Sequence, residues 1–280
     1  MRLKSVSLIP FVVLLSTVVA CSAGSSEAVD TTTSIATTTT TTIAPAVLAF
    51  PYFEEIAKDS RVGHESASEM STSVAREYAL YLNENVQAVT FARADGERIE
   101  DEPLKTARAD DAGRILLEST DNRITYSDFK FSGGKISDFS VEGRLLSGNL
   151  RSGIFIYNCF TYDDNCESDG SLDVQVLHAY IGAKGDMVVT YSVRIGSKYR
   201  SSVREDRASG GLPNHVLVDS AGREISASGA IETFAKGETR VNVVSFGPLR
   251  GGGTYTLDLR FRAGGSLREF EGIALGNFQG

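Results

Sequence analysis

Strict alternation of apolar and polar residues in two stretches of the second half constrains the fold more than any other feature of this chain. In GDMVVTYSVRIGS, Met187, Val189, Tyr191, Val193 and Ile195 occupy every second position. In TYTLDLRFRAGG the same holds for Tyr255, Leu257, Leu259 and Phe261, with glycines on both sides. A period of two puts each set on one face of an extended strand. Val216 and Val218 precede the turn residues DSAGRE, and Val241 and Val243 begin another strand. There Val244 and Phe246 take the opposite parity, which a bulge or burial on both faces explains. From Gly153 onward, roughly seven short strands separated by turn signals predict an antiparallel β-sandwich. Alternation alone leaves closure into a barrel open.

The rhythm of these strands is similar to that of immunoglobulin-like domains of bacterial surface proteins. The resemblance implies an immunoglobulin-like β-sandwich over residues 151–280. It is one of pattern only, since the chain has no Trp and no widely spaced Cys pair in this half.

Residues 47–150 predict a small α+β module. In HESASEMSTSVAREYALYLNENVQ, Val74, Tyr78, Tyr81, Leu82 and Val86 recur at threes and fours, the stripe of an amphipathic helix. Ser66 and Glu69 fit a capping box, and Ser71 or Ser73 could cap a later start. Residues 97–112 read as a charged connector broken by Pro103. GRILLEST offers a short strand, and ITYSDFKFSGGKISDFSVEG a hairpin turning at Gly133-Gly134. Phe129 and Phe131 share one face of it, as do Phe139 and Val141.

The N-terminus has a different character. MRLK carries two cations, and SVSLIPFVVLLSTVV is apolar but shorter than the roughly 20 residues a spanning helix needs. That combination is the signature of a signal peptide, here residues 1–20. Val18-Val19-Ala20-Cys21 resembles the lipobox of bacterial lipoproteins. The resemblance implies cleavage before Cys21 and acylation of its thiol. It places the chain at the cell membrane, lipid-anchored on the extracytoplasmic face. Residues 21–46, with TTTTTT at their centre, have almost nothing large to bury and predict a disordered, Thr-rich tether.

Net charge is -8, with 36 acidic against 28 basic residues and no basic block, so a nucleic-acid partner is not expected. Beyond Cys21 the only cysteines are Cys159 and Cys166, seven residues apart. In an oxidising compartment they predict a local disulfide. The same loop partly echoes a calcium site through Asp163, Asn165, Glu167, Asp169 and Asp173, although Val176 stands where a closing Glu belongs. No cofactor is otherwise implied.

Nucleophile-elbow, zincin, phosphate-loop and dinucleotide motifs are absent, and His64, His178 and His215 lie far apart in the chain. The sequence names no catalytic residue. Its expectation is non-enzymatic binding or scaffolding, with a protein or polymer of the envelope as partner. An envelope polysaccharide hydrolase would instead need two carboxylates meeting in a cleft. A small-molecule or lipid carrier would need an enclosed apolar cavity.

Overall fold

A computed structural model describes residues 44–99, 103, 105–120, 122–154, 158–160, 170–208, 210–229, 231–249 and 251–279. The signal segment, Cys21 and nearly all of the Thr-rich segment lie outside them.

The first described element is a helix that the sequence reading missed. α1 (Pro45–Ala57) starts with Pro45 in its first turn, where the missing N–H costs nothing. It buries Ala46, Ala49, Tyr52, Phe53, Ile56 and Ala57, spaced along one stripe. The expected tether thus ends one or two residues early. α2 (Arg61–Glu69) is capped by Ser60, whose Oγ accepts from the Gly63 N–H at 3.2 Å. Gly63 lets α2 approach α1 closely, because a Cβ there would meet the Glu55 carbonyl oxygen at 2.5 Å. Ser66 and Glu69 fall in this helix and form no capping box. α3 (Ser73–Ala94) carries the expected stripe, with Tyr78 and Tyr81 buried. The Tyr52 hydroxyl donates to the Ala75 carbonyl at 2.7 Å and ties α1 to α3.

A five-stranded antiparallel meander follows: β1 (Thr106–Ala109), β2 (Ile115–Glu118), β3 (Arg123–Ser132), β4 (Lys135–Val141) and β5 (Arg144–Leu145). β1 lies inside the stretch read as a connector. Its turn into β2 is set by Asp110, whose Oδ1 accepts from the Ala112 and Arg114 N–H groups. The β3–β4 turn uses Gly133 and Gly134 at φ 57° and 78°, as the hairpin reading requires. Phe139 is wholly buried, with ring centroids of Tyr52, Phe53, Tyr78 and Tyr126 between 5.1 and 5.8 Å away. Such edge-on ring contacts add to area burial, and truncating a ring of this kind typically costs about 3–5 kcal/mol.

α4 (Leu146–Asn149) is a single turn leading into β6 (Leu150–Ser152). The remaining strands are β7 (Asn158–Phe160), β8 (Leu172–Ile181), β9 (Met187–Ile195), β10 (Val203–Glu205), β11 (Val216–Asp219), β12 (Glu224–Ser228), β13 (Thr233–Phe234), β14 (Thr239–Phe246), β15 (Gly253–Ala263) and β16 (Ser266–Phe278). With β6 they form one antiparallel sheet of eleven strands. One edge of β15 pairs with β16, and the other with β11 and then β10. β12 pairs with β11 through Glu224–Ser226 and with β14 through Ala227 and Ser228.

The immunoglobulin-like sandwich is therefore corrected. The chain has a mixed α/β fold with four helices among the described residues. Its large sheet is continuous through β12 and closes into neither a sandwich nor a barrel of that kind. Local alternation fixed each strand's faces but carried no information about the sharing of β12 and β15 between partners.

The layer of β8, β9 and β14 is buried on both faces. On one face Met187, Val189, Tyr191, Val193, Ile195, Val244 and Phe246 join Leu257, Leu259, Phe261 and Phe270 in the main core. On the other, Tyr180, Val188 and Val243 pack into the core of α1, α3 and the small sheet. The parity change in β14 is thus burial on both faces. Its ladder to β9 runs from Thr239 to Phe246 without a bulge.

Candidate functional site: ionisable clusters on two faces of one strand layer

A real bulge lies in β8. Val176 pairs with Tyr191 and His178 with Thr190, so Leu177 is the extra residue. Before it Leu172, Val174 and Val176 face the main core, and after it Ala179 and Ile181 do so. A bulge of this kind re-aims the side chains beyond it. Here it turns His178 away from the main core and toward α3.

On that side His178 meets two carboxylates from one helix. Its Nδ1 lies 2.7 Å from Glu84 Oε2, and its Nε2 3.2 Å from Glu77 Oε2. Glu77 and Glu84 are seven residues apart, two turns along the same face of α3. Thr190 Oγ1 donates to the same Glu84 oxygen at 2.6 Å. Burial opposes charge on His178, but the hydrogen bonds and charges of Glu84 and Glu77 outweigh it and raise its pKa above the usual value.

Farther along α3, the Arg240 guanidinium from β14 bonds both oxygens of Asp95, reaches Glu238, and lies 5.3 Å from the Phe91 ring. Asp95 is held below its usual pKa mainly by that hydrogen bond. Glu232, 3.9 Å from Arg240, is pushed up to about 7 by burial and by Glu97, Glu205 and Asp95.

The opposite face holds a sealed cluster. Glu205, His215 and Tyr191 have essentially no solvent exposure. Glu205 Oε1 accepts from the Tyr191 hydroxyl, from His215 Nε2 at 2.9 Å and from Asn242 Nδ2 at 2.9 Å. Its Oε2 accepts from the Glu232 N–H at 2.8 Å. His215 Nδ1 accepts from the Arg260 N–H at 3.0 Å. That acceptor role leaves the His215 proton on Nε2, aimed at Glu205. Burial, then the Glu205 charge, lift the Tyr191 hydroxyl well above its usual pKa. Glu205, His215 and Tyr191 are all hydrogen-bonded and none of the three reaches solvent, so the cluster can pin β9, β10, β14 and β15 together but offers these three groups no opening to a substrate.

The third histidine is different again. His64 on α2 is buried with no hydrogen bond at either ring nitrogen, and Asp59 Oδ1 is 3.9 Å from its Nε2. Burial lowers its pKa to about 4.

Of the residues singled out from sequence, Cys21, Asp163, Asn165, Cys166, Glu167 and Asp169 lie outside the described residues. Cys159 sits on β7, opposite Asp173 in the ladder. The expected Cys159–Cys166 bridge therefore falls outside what is described, and no disulfide occurs among the described residues. Asp173 is buried on β8, and its Oδ2 accepts from Ser171 Oγ at 3.0 Å and Arg194 Nη1 at 2.8 Å. Arg194 already supplies the counter-charge that a cation would bring. No group of three or more His, Cys, Asp or Glu among the described residues is arranged to hold a metal ion.

A groove of about 410 Å³ lies where α2, α3 and β4 meet, lined by polar residues that include Ser68, Thr72, Arg76 and Lys135. It is open and polar, unlike the enclosed apolar cavity of a carrier. No described helix is long and apolar enough to cross a membrane. The chain matches no protein-family model, and no curated protein or solved structure is significantly similar to it.

Proposed function

We propose that this chain is a lipid-anchored protein of the cell envelope whose folded body binds or scaffolds a protein or polymer at the cell surface without catalysing a reaction. The anchor rests on the leader and the Cys21 motif. One observation carries the non-enzymatic half. Glu205, His215 and Tyr191 combine the residue types of an acid–base site, yet they are sealed and direct their hydrogen bonds to one another and to the backbone. Glu77 and Glu84 are likewise engaged, both facing ring nitrogens of His178.

Two measurements on cells making the full chain test this. Mass spectrometry of the mature N-terminus is expected to find an acylated Cys21, and Cys21→Ala to release the body from the membrane fraction. An unmodified N-terminus downstream of Cys21 would remove the anchor. Cross-linking on intact cells is expected to recover a partner with the wild type that a lipidated, unrelated β-rich domain does not recover. Equal recovery by both would overturn the binding role.

A further inference from the structure

We propose that His178 makes the docking of α3 on the large sheet proton-dependent, clasping the middle of the helix when the imidazole carries two protons and loosening it when one is lost. A neutral imidazole has one N–H and one lone pair. Both ring nitrogens of His178 face carboxylate oxygens, at 2.7 and 3.2 Å. The doubly protonated ring alone donates to both. Loss of a proton turns one contact into a lone pair against a carboxylate.

The surrounding groups favour the same direction. α3 presents Glu77 and Glu84, both acidic, and the Tyr81 ring 6.3 Å away. From β9 comes Thr190, a neutral donor already committed to Glu84. The ladder partner on β6 is Ser152, also neutral. No cation among these groups takes the place of the imidazolium. Glu77 stays about one-third exposed, so protons reach the cluster from solvent. On either side of Glu84, α3 is held independently, by Tyr78 in the aromatic core and by Asp95 on Arg240. The loosening is therefore expected between these two anchors, around Glu84.

Because the bound pKa lies above the ordinary 6.5, the contribution is complete below pH 6.5 and is lost as pH rises through the higher, folded value. Amide hydrogen exchange on the full chain, corrected for intrinsic rates, tests this at pH 6 and pH 9. Protection of residues 80–90 is expected to fall several-fold at pH 9 in the wild type and to change little in His178→Gln. An unchanged wild-type profile, or the same fall in His178→Gln, would overturn the proposal. Should that variant fail to fold, an NMR titration of the wild type decides. The ring of His178 must titrate above 6.5, and the amides of the middle of α3 must follow with the same midpoint. Titration at or below 6.5, or helix amides that do not follow it, counts against the clasp.

Discussion

The two faces of β9 use nearly the same polar chemistry to opposite effect. Tyr191, on the inner face, joins Glu205 and His215 with no solvent contact. Its neighbour Thr190, on the outer face, joins Glu84 and His178 at a seam where Glu77 remains partly exposed. A hydroxyl, a histidine and a glutamate are present on both sides. What differs is how many donors each carboxylate collects and whether protons can exchange. Inside, four donors saturate one glutamate and the histidine keeps a single proton position. Outside, two glutamates compete for one ring, which must be charged to satisfy both. The first arrangement fixes strand pairing, and the second responds to pH.

Substitutions tell the two faces apart, beginning with the inner one. Glu205→Ala removes the common acceptor of Tyr191, His215, Asn242 and the Glu232 N–H, leaving buried donors unpaired. Urea unfolding at pH 7 is expected to show a loss of about 3–5 kcal/mol. A loss under 1 kcal/mol would mean that water enters the site and that it is not sealed.

His64 extends the contrast to a buried histidine whose acidic neighbour, Asp59, lies 3.9 Å away. Its pKa is lowered in the fold, so its contribution is complete above pH 6.5 and is lost as pH falls toward about 4. The wild type should lose on the order of 3 kcal/mol across that window. His64→Leu should flatten the acid limb of the stability profile, in the direction opposite to that of His178.

Tyr191→Phe keeps the ring but takes one donor from Glu205 and one acceptor from Asn242. The expected cost is about 1–3 kcal/mol by equilibrium unfolding. The smallest effect belongs to Glu232, which is only half-buried. Its raised pKa means that the fold is penalised as pH climbs from the usual carboxylate value through about 7. Glu232→Gln should therefore raise the melting temperature slightly at pH 8 and leave it unchanged at pH 4.5. A rise at both pH values would assign the effect to packing rather than charge.

Much of this layer was legible in the sequence, but unevenly. The alternation from Met187 to Ile195 gave the inner face of β9 residue by residue, because a period of two needs only local information. The β3–β4 hairpin was equally clear from its paired glycines. α1 was missed because PAVLAFPYFEEIA carries a second proline inside the helix and comes directly after a Thr-rich run. Even so, Tyr52, Phe53 and Ile56 had the spacing to reveal it. The immunoglobulin-like expectation failed for a different reason. Which strands share a partner is settled by contacts distant in sequence, and alternation is silent on them.

The outer histidine cluster is invisible in the sequence, since Glu84 and His178 are 94 positions apart; the inner one spans only Tyr191 to Asn242, but no local period marks which side chains meet. One local signal was available. In LDVQVLHAYI the buried set runs Leu172, Val174, Val176 and then Ala179, Ile181, a slip of one position that marks the bulge at Leu177.

The path of β12 has a mechanical corollary. Three of its residues zip to β11 and two to β14, and among the described residues no other backbone ladder joins the two groups of strands. Five residues thus act as the spine of a book whose pages also meet through side chains and through the Gln279 N–H on the Gly148 carbonyl at 2.9 Å. An extra residue spliced between Ser226 and Ala227 would leave each page intact while letting the binding slip.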